Sequence, residues 1–95
     1  MKKATAWDAA DYLRTETDIA AYLNAALEDG DASVVAAALG DIARVKGMTR
    51  LSKETGITRD GLYKALSPTG NPSFDTVQKV VRAFGLKLDV VAVSA

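Results

Sequence analysis

The chain contains no cysteine and no histidine among its 95 residues. Zinc sites of the usual kind, thiol nucleophiles and histidine acid–base catalysis are excluded with them. A carboxylate-only metal site needs separate scrutiny, and its one candidate is Asp29-Gly30-Asp31. A calcium loop requires several further spaced oxygen ligands, so this tripeptide reads as a turn. Long apolar runs are also missing, and nothing approaches the length of a membrane span. Asp8 and Asp11 interrupt the stretch behind the basic start Met1-Lys2-Lys3, so no export signal is expected. These absences lead to the expectation of a cytoplasmic protein that needs no cofactor and is not an enzyme.

An excess of charge is the last thing lacking: 12 Lys and Arg balance 12 Asp and Glu. The balance conceals an asymmetry. Residues 1–40 hold three basic against seven acidic side chains, and residues 41–95 hold nine against five, giving −4 and +4. Such a split fits two surfaces with different partners, a basic one for phosphate and an acidic one for a basic protein. The length suits one domain with a modest core, residues 1–95. Within it we expect an acidic helical extension over 1–31, a core over 32–85 and a strand or tail over 86–95.

Hydrophobic spacing supplies the elements. Residues 7–13 suggest a short helix with Trp7, Ala10 and Leu13 inward. Thr17 or Asp18 caps a second, whose inward face is Ile19, Tyr22, Leu23, Ala26 and Leu27, and which Gly30 ends. Asp31 caps a helix over 32–46 with Val35, Ala38, Leu39, Ile42 and Val45 on one stripe. Gly40 lies inside it at a cost of about 1 kcal/mol, which a close helix crossing would explain. Two short helices follow, with Gly56 between them and Pro68 after the second. Ser73 caps a last helix with Phe74, Val77, Val80, Val81 and Phe84 inward. Residues 86–93 (LKLDVVAV) alternate in part and are β-branched, hence a strand. The fold class is all-α: five to six helices around a helix-turn-helix core, with one C-terminal β-strand.

The stretch 51–66, LSKETGITRDGLYKAL, carries the functional signal. In a helix-turn-helix the first helix crosses the DNA backbone and the second enters the major groove. Ser52 and Gly56 have the spacing of the small crossing residue and the turn glycine, and Leu51, Ile57, Leu62 and Ala65 take the buried positions. The second helix then exposes Arg59, Asp60, Tyr63, Lys64 and, at its end, Ser67. Thr58 and the first-turn amides suit a phosphate. Arg59 suits guanine and Asp60 cytosine N4, although Asp60 equally complements the helix dipole. Lys64 suits a phosphate, and Tyr63 a phosphate or a thymine methyl. Thr49 and Arg50, at the start of the first helix, complete the expected DNA-contact set.

Residues 41–88 resemble the Cro/lambda-repressor type of helix-turn-helix domain. Nearly the whole chain resembles the HigA-like addiction-module antidote proteins, the antitoxins of type II toxin–antitoxin pairs. The carrying stretches are ALGDIAR (38–44), GMT (47–49), GLYKALSP (61–68) and GNPSF (70–74), with Asp11-Tyr12-Leu13 and Ala21-Tyr22-Leu23 at the front. The resemblance implies a lambda-repressor-like fold, repression of the chain's own operon through operator DNA, and neutralisation of a RelE/HigB-like toxin. The alternative is a stand-alone phage-type transcriptional repressor without a toxin partner. A helical interaction module without DNA binding is a further alternative, and a hydrolase a distant one. Asp8, Asp11, Glu16, Asp18 and Glu28 are the expected toxin-facing acids. A lone strand needs a partner for its ladder groups, so self-association through residues 86–93, from Leu86 to Val93, is expected.

Overall fold

The computed structural model describes residues 12–94. Most of the helix expected over 7–13, including Trp7, and the acids Asp8 and Asp11 lie outside the described residues; Leu13, its last position, is buried. Five helices follow in order: α1 (Glu16–Asp29), α2 (Ala32–Lys46), α3 (Met48–Thr55), α4 (Arg59–Ala65) and α5 (Phe74–Ala83). α1 packs on α2, α2 touches α3 and α4, and α3 packs on both α4 and α5.

Local chemistry sets the helix limits. α1 is capped by Thr15, not by Thr17 or Asp18 as its spacing suggested. The Thr15 side chain accepts the Asp18 N–H, and the Asp18 carboxylate accepts the N–H groups of Arg14 and Thr15. Thr15-x-x-Asp18 is a capping box ahead of an apolar run, so the corrected start was visible in the sequence. Gly30 ends α1 in the left-handed conformation (φ 81°), and Asp31 begins α2 by accepting from the backbone N–H and hydroxyl of Ser33. Those two donors hold the Asp31 carboxyl below the usual aspartate range. Asp29-Gly30-Asp31 is therefore a helix–helix turn.

The core is wholly apolar: among the described residues no polar or charged side chain is fully buried. Ile19, Leu39, Ile42, Leu51, Leu62, Leu66, Val80, Val81 and Phe84 form its centre. Truncating a side chain of this kind to alanine costs about 2–5 kcal/mol. Gly40 is the tightest point. A Cβ there would run into the carbonyl oxygen of Leu66, so α2 and the end of α4 meet backbone to backbone. That is the close crossing its position inside a helix called for.

Three expectations are corrected. Leu27 and Phe74 were placed inward but are exposed, Phe74 to 68%. Both sit on the right stripe, but each lies at a helix end beyond the reach of the core; periodicity defines a face and not how far the neighbour extends along it. Residues 86–94 form no strand, and no strand occurs among the described residues. The physical reason is the one that made the strand need a partner: one chain supplies no neighbouring edge for its N–H and C=O groups. Leu86 is half-buried against the core, but Val90 does not face the last helix and is 93% exposed.

Candidate nucleic-acid interface

The helix pair α3–α4 is built by short-range hydrogen bonds around one glycine. Gly56 takes φ 77°, and its N–H donates to the Ser52 carbonyl at 2.9 Å. An L side chain rarely adopts that conformation, so the turn needs glycine. The Ser52 hydroxyl then donates to the Ile57 carbonyl (2.5 Å), tying the first helix to the far side of the turn. The Thr55 hydroxyl donates to the Leu51 carbonyl and accepts the Ile57 N–H. Thr58 leaves the turn in extended conformation, and its hydroxyl accepts the Gly61 N–H at 3.0 Å as the cap of α4. Leu51 and Leu62 are buried, and Ile57 and Ala65 are half-buried against the same core, which holds the pair at a fixed angle.

This arrangement leaves one polar face outward. Thr58, Arg59, Asp60, Tyr63 and Lys64 are all exposed, Tyr63 to 42%. At 3.6 residues per turn, positions 59, 60, 63 and 64 share one side of α4. Thr49 and Arg50 are exposed in the first turn of α3. Ser67 is half-buried and lies beyond α4, which ends at Ala65. Pro68 disfavours helical backbone at the residue before it, which puts Ser67 outside the helix. The Ser67 hydroxyl donates to the Lys64 carbonyl, and Gly70 closes the loop back over the carbonyls of Lys64 and Ala65.

Two ion pairs on this surface were not anticipated. Lys64 Nζ stands 3.5 Å from Asp60, and Arg50 Nε donates to Glu54 at 3.1 Å. Both pairs have i,i+4 spacing, a signal present in the sequence. They are exposed, so each is worth only about 0.3–0.5 kcal/mol and yields easily to a competing phosphate. Arg59 and Lys53 form no ion pair among the described residues, so their charge is fully available. Lys53, exposed on α3, is a basic group that the motif reading left out.

A second surface lies between α1 and α2. It is an open groove of about 400 Å³ with a floor that includes Ala25, Ala37 and Ala38 and a rim that includes Asp29, Val34 and Asp41. The Tyr22 hydroxyl donates to Asp41 at 2.6 Å across it. Burial, that hydrogen bond and the nearby carboxylate push the Tyr22 hydroxyl up to about 12, so it stays protonated as a donor. Of the expected toxin-facing acids, Asp18 is engaged in the α1 cap, while Glu16 and Glu28 are exposed.

Residues 3–92 match the family described as probable addiction module antidote proteins. A relative from Haemophilus influenzae, described as an uncharacterized protein, is 46% identical over 84 residues, which cover 88% of this chain and 87% of its own. No solved structure matches the chain. No helix among the described residues is long and apolar enough to cross a membrane. With nearly its full length inside the match, the chain belongs to the family of probable addiction module antidote proteins.

Proposed function

We propose that this chain is the antitoxin of a type II toxin–antitoxin pair. It binds operator DNA through α3 and α4 as a HigA-like helix-turn-helix of the Cro/lambda-repressor type, represses its own operon, and neutralises a RelE/HigB-like toxin. The observation that carries the DNA half is the exposed face of α4, held rigidly by Gly56, Ser52 and the Gly40–Leu66 crossing. Thr58, with the amides of the first turn, and Lys64 are the proposed phosphate contacts. Arg59, Asp60 and Tyr63 are the proposed readers of base edges. Thr49 and Arg50 approach the backbone from α3, with Ser67 at the far end of the recognition helix.

Family membership supports the toxin half, together with the acidic character of residues 1–40. A toxin that cuts RNA needs a positive surface, and covering it with carboxylates blocks substrate and speeds association. On DNA the protein acts as a homodimer, with the two recognition helices roughly 34 Å apart on an inverted repeat. The test has two arms. The protein should retard the DNA upstream of its own gene and leave unrelated DNA free at the same salt. It should also co-purify with the product of the adjacent gene and suppress that product's toxicity. Retardation without a partner would leave a stand-alone repressor; a partner without retardation would leave an interaction module.

A further inference from the structure

The tail after α5 has an unusual set of properties for a chain end. Its start is fixed: the Leu86 N–H donates to the Val81 carbonyl at 3.1 Å, and Leu86 is half-buried on the core. Beyond it, Val90, Val91 and Val93 are 93%, 78% and 90% exposed. Among the described residues, no backbone group of residues 87–94 bonds to another backbone group. Beneath the tail runs a groove of about 260 Å³ lined by Ala20, Leu23, Leu27, Val81, Leu86 and Leu88 among others. Leu27, exposed at 46%, adjoins it. A β-branched segment with an unsatisfied edge, seated on an apolar floor, is an incomplete sheet.

We propose that a second copy of the chain completes it. Residues 86–90 pair antiparallel with the same residues of the partner, with the two-fold axis at Leu88. The charge pattern selects this occupant and this register. Directly opposed residues share a face of an antiparallel pair. With Leu88 on the axis, Lys87 faces the partner's Asp89 and Asp89 faces the partner's Lys87. On the other face Leu86 meets the partner's Val90, and Leu88 meets its own copy. Moving the axis to Lys87 or to Asp89 opposes like charges. Moving it to Val90 leaves both charges facing apolar residues, and an axis between residues mixes the two faces. Only the Leu88 register satisfies every position. The apolar face then lies over the groove against α1 and α5, which supplies the core that a bare two-stranded ribbon lacks.

The pairing deepens the proposed function, because a two-fold is what an inverted-repeat operator demands, but it is tested on the purified full chain without DNA or toxin. The chain has no cysteine, so an introduced one reports geometry cleanly. Leu88→Cys should form a disulfide-linked dimer under mild oxidation. Leu86→Cys alone and Val90→Cys alone should not, since each sits about four residues from its own copy, beyond disulfide reach. Mixed together, those two variants should cross-link with each other. By sedimentation equilibrium, Lys87→Asp should weaken the dimer roughly tenfold, because two attractive pairs become two repulsive ones. The double variant Lys87→Asp/Asp89→Lys should restore it by exchanging the partners. Both charged residues are exposed, and circular dichroism will confirm that each variant is folded.

A wild-type chain that sediments as a monomer at every concentration overturns the proposal; this is also the outcome if the tail pairs only with a toxin's sheet. A dimer indifferent to the charge reversal overturns it too, as does self-linking of Leu86→Cys in place of Leu88→Cys. Loss of operator retardation with the dimer intact would count against the DNA reading and leave this one standing.

Discussion

The α3–turn–α4 segment and the tail after α5 are both short and polar-apolar mixed, yet one is complete and the other is not. In the first, the Ser52, Thr55 and Thr58 hydroxyls all bond within the segment, and Leu51 and Leu62 are buried. In the second, the valines face solvent and the backbone lacks ladder partners among the described residues. A segment that satisfies its own groups can present a rigid outer face to a ligand. One that leaves them open is shaped by whatever completes it. The comparison therefore assigns rigid recognition to α4 and assembly to the tail.

The largest expected effect tests the rigidity of the first region. Gly40→Ala should destabilise the fold by about 3 kcal/mol in urea unfolding, because the new methyl group meets the Leu66 carbonyl, a backbone atom that cannot swing aside. On an open helix the same change would add about 1 kcal/mol of stability. The sign alone is decisive: a gain in stability would mean that α2 and α4 are not locked together.

Next in size is the outward face. Arg59→Ala should cost about 1–3 kcal/mol in operator affinity and relax preference at one base pair, with thermal stability unchanged. Unaltered discrimination across a panel of single-base operator variants would remove Arg59 from base reading and weaken the case that the rigid region is the DNA-facing one.

A smaller effect concerns the α1–α2 groove. Tyr22→Phe removes the hydrogen bond to Asp41 and should cost about 1 kcal/mol at neutral pH. The Tyr22 hydroxyl is raised from 10.0 to about 12 in the folded chain. Its contribution is thus fully present below pH 10 and is lost as pH rises through 12. Stability of the wild type should fall more steeply than that of Tyr22→Phe over that interval. Parallel curves would show that the tyrosine is not held across the groove.

Much of this was legible in the sequence, for reasons that differ by residue. Gly56 and Thr58 act within a few residues of themselves, so turn and cap chemistry located the helix pair. The α2 limits, 32–46, followed from Asp31 and Gly47 in the same way. Gly40 declared that something close must lie opposite but could not name Leu66, since that contact spans 26 residues of chain. Phe74 and Leu27 were misplaced because a stripe carries no information on where the partner helix stops. The strand was misread because ladder formation belongs to two segments, and one sequence segment shows only its half. On the candidate interface, residue types pointed to Arg59 and Lys64 alike, while the i,i+4 carboxylate that distinguishes them went unread.

That carboxylate gives the smallest prediction and the finest division of the recognition face. Lys64 shares its charge with Asp60 in the free protein at 3.5 Å, and both side chains are at least 80% exposed. Lys64→Ala should therefore leave stability within about 0.5 kcal/mol of wild type. Binding should weaken to operator and to unrelated DNA alike, and the logarithmic salt slope should fall by about one unit, because one phosphate contact and its released counterion are lost. Asp60→Asn frees Lys64 without removing it, so it should strengthen unspecific binding slightly while leaving the salt slope nearly intact. A loss confined to operator DNA in Lys64→Ala would instead make the lysine a base reader. The closed region would then read DNA through a side chain that first has to leave its own partner.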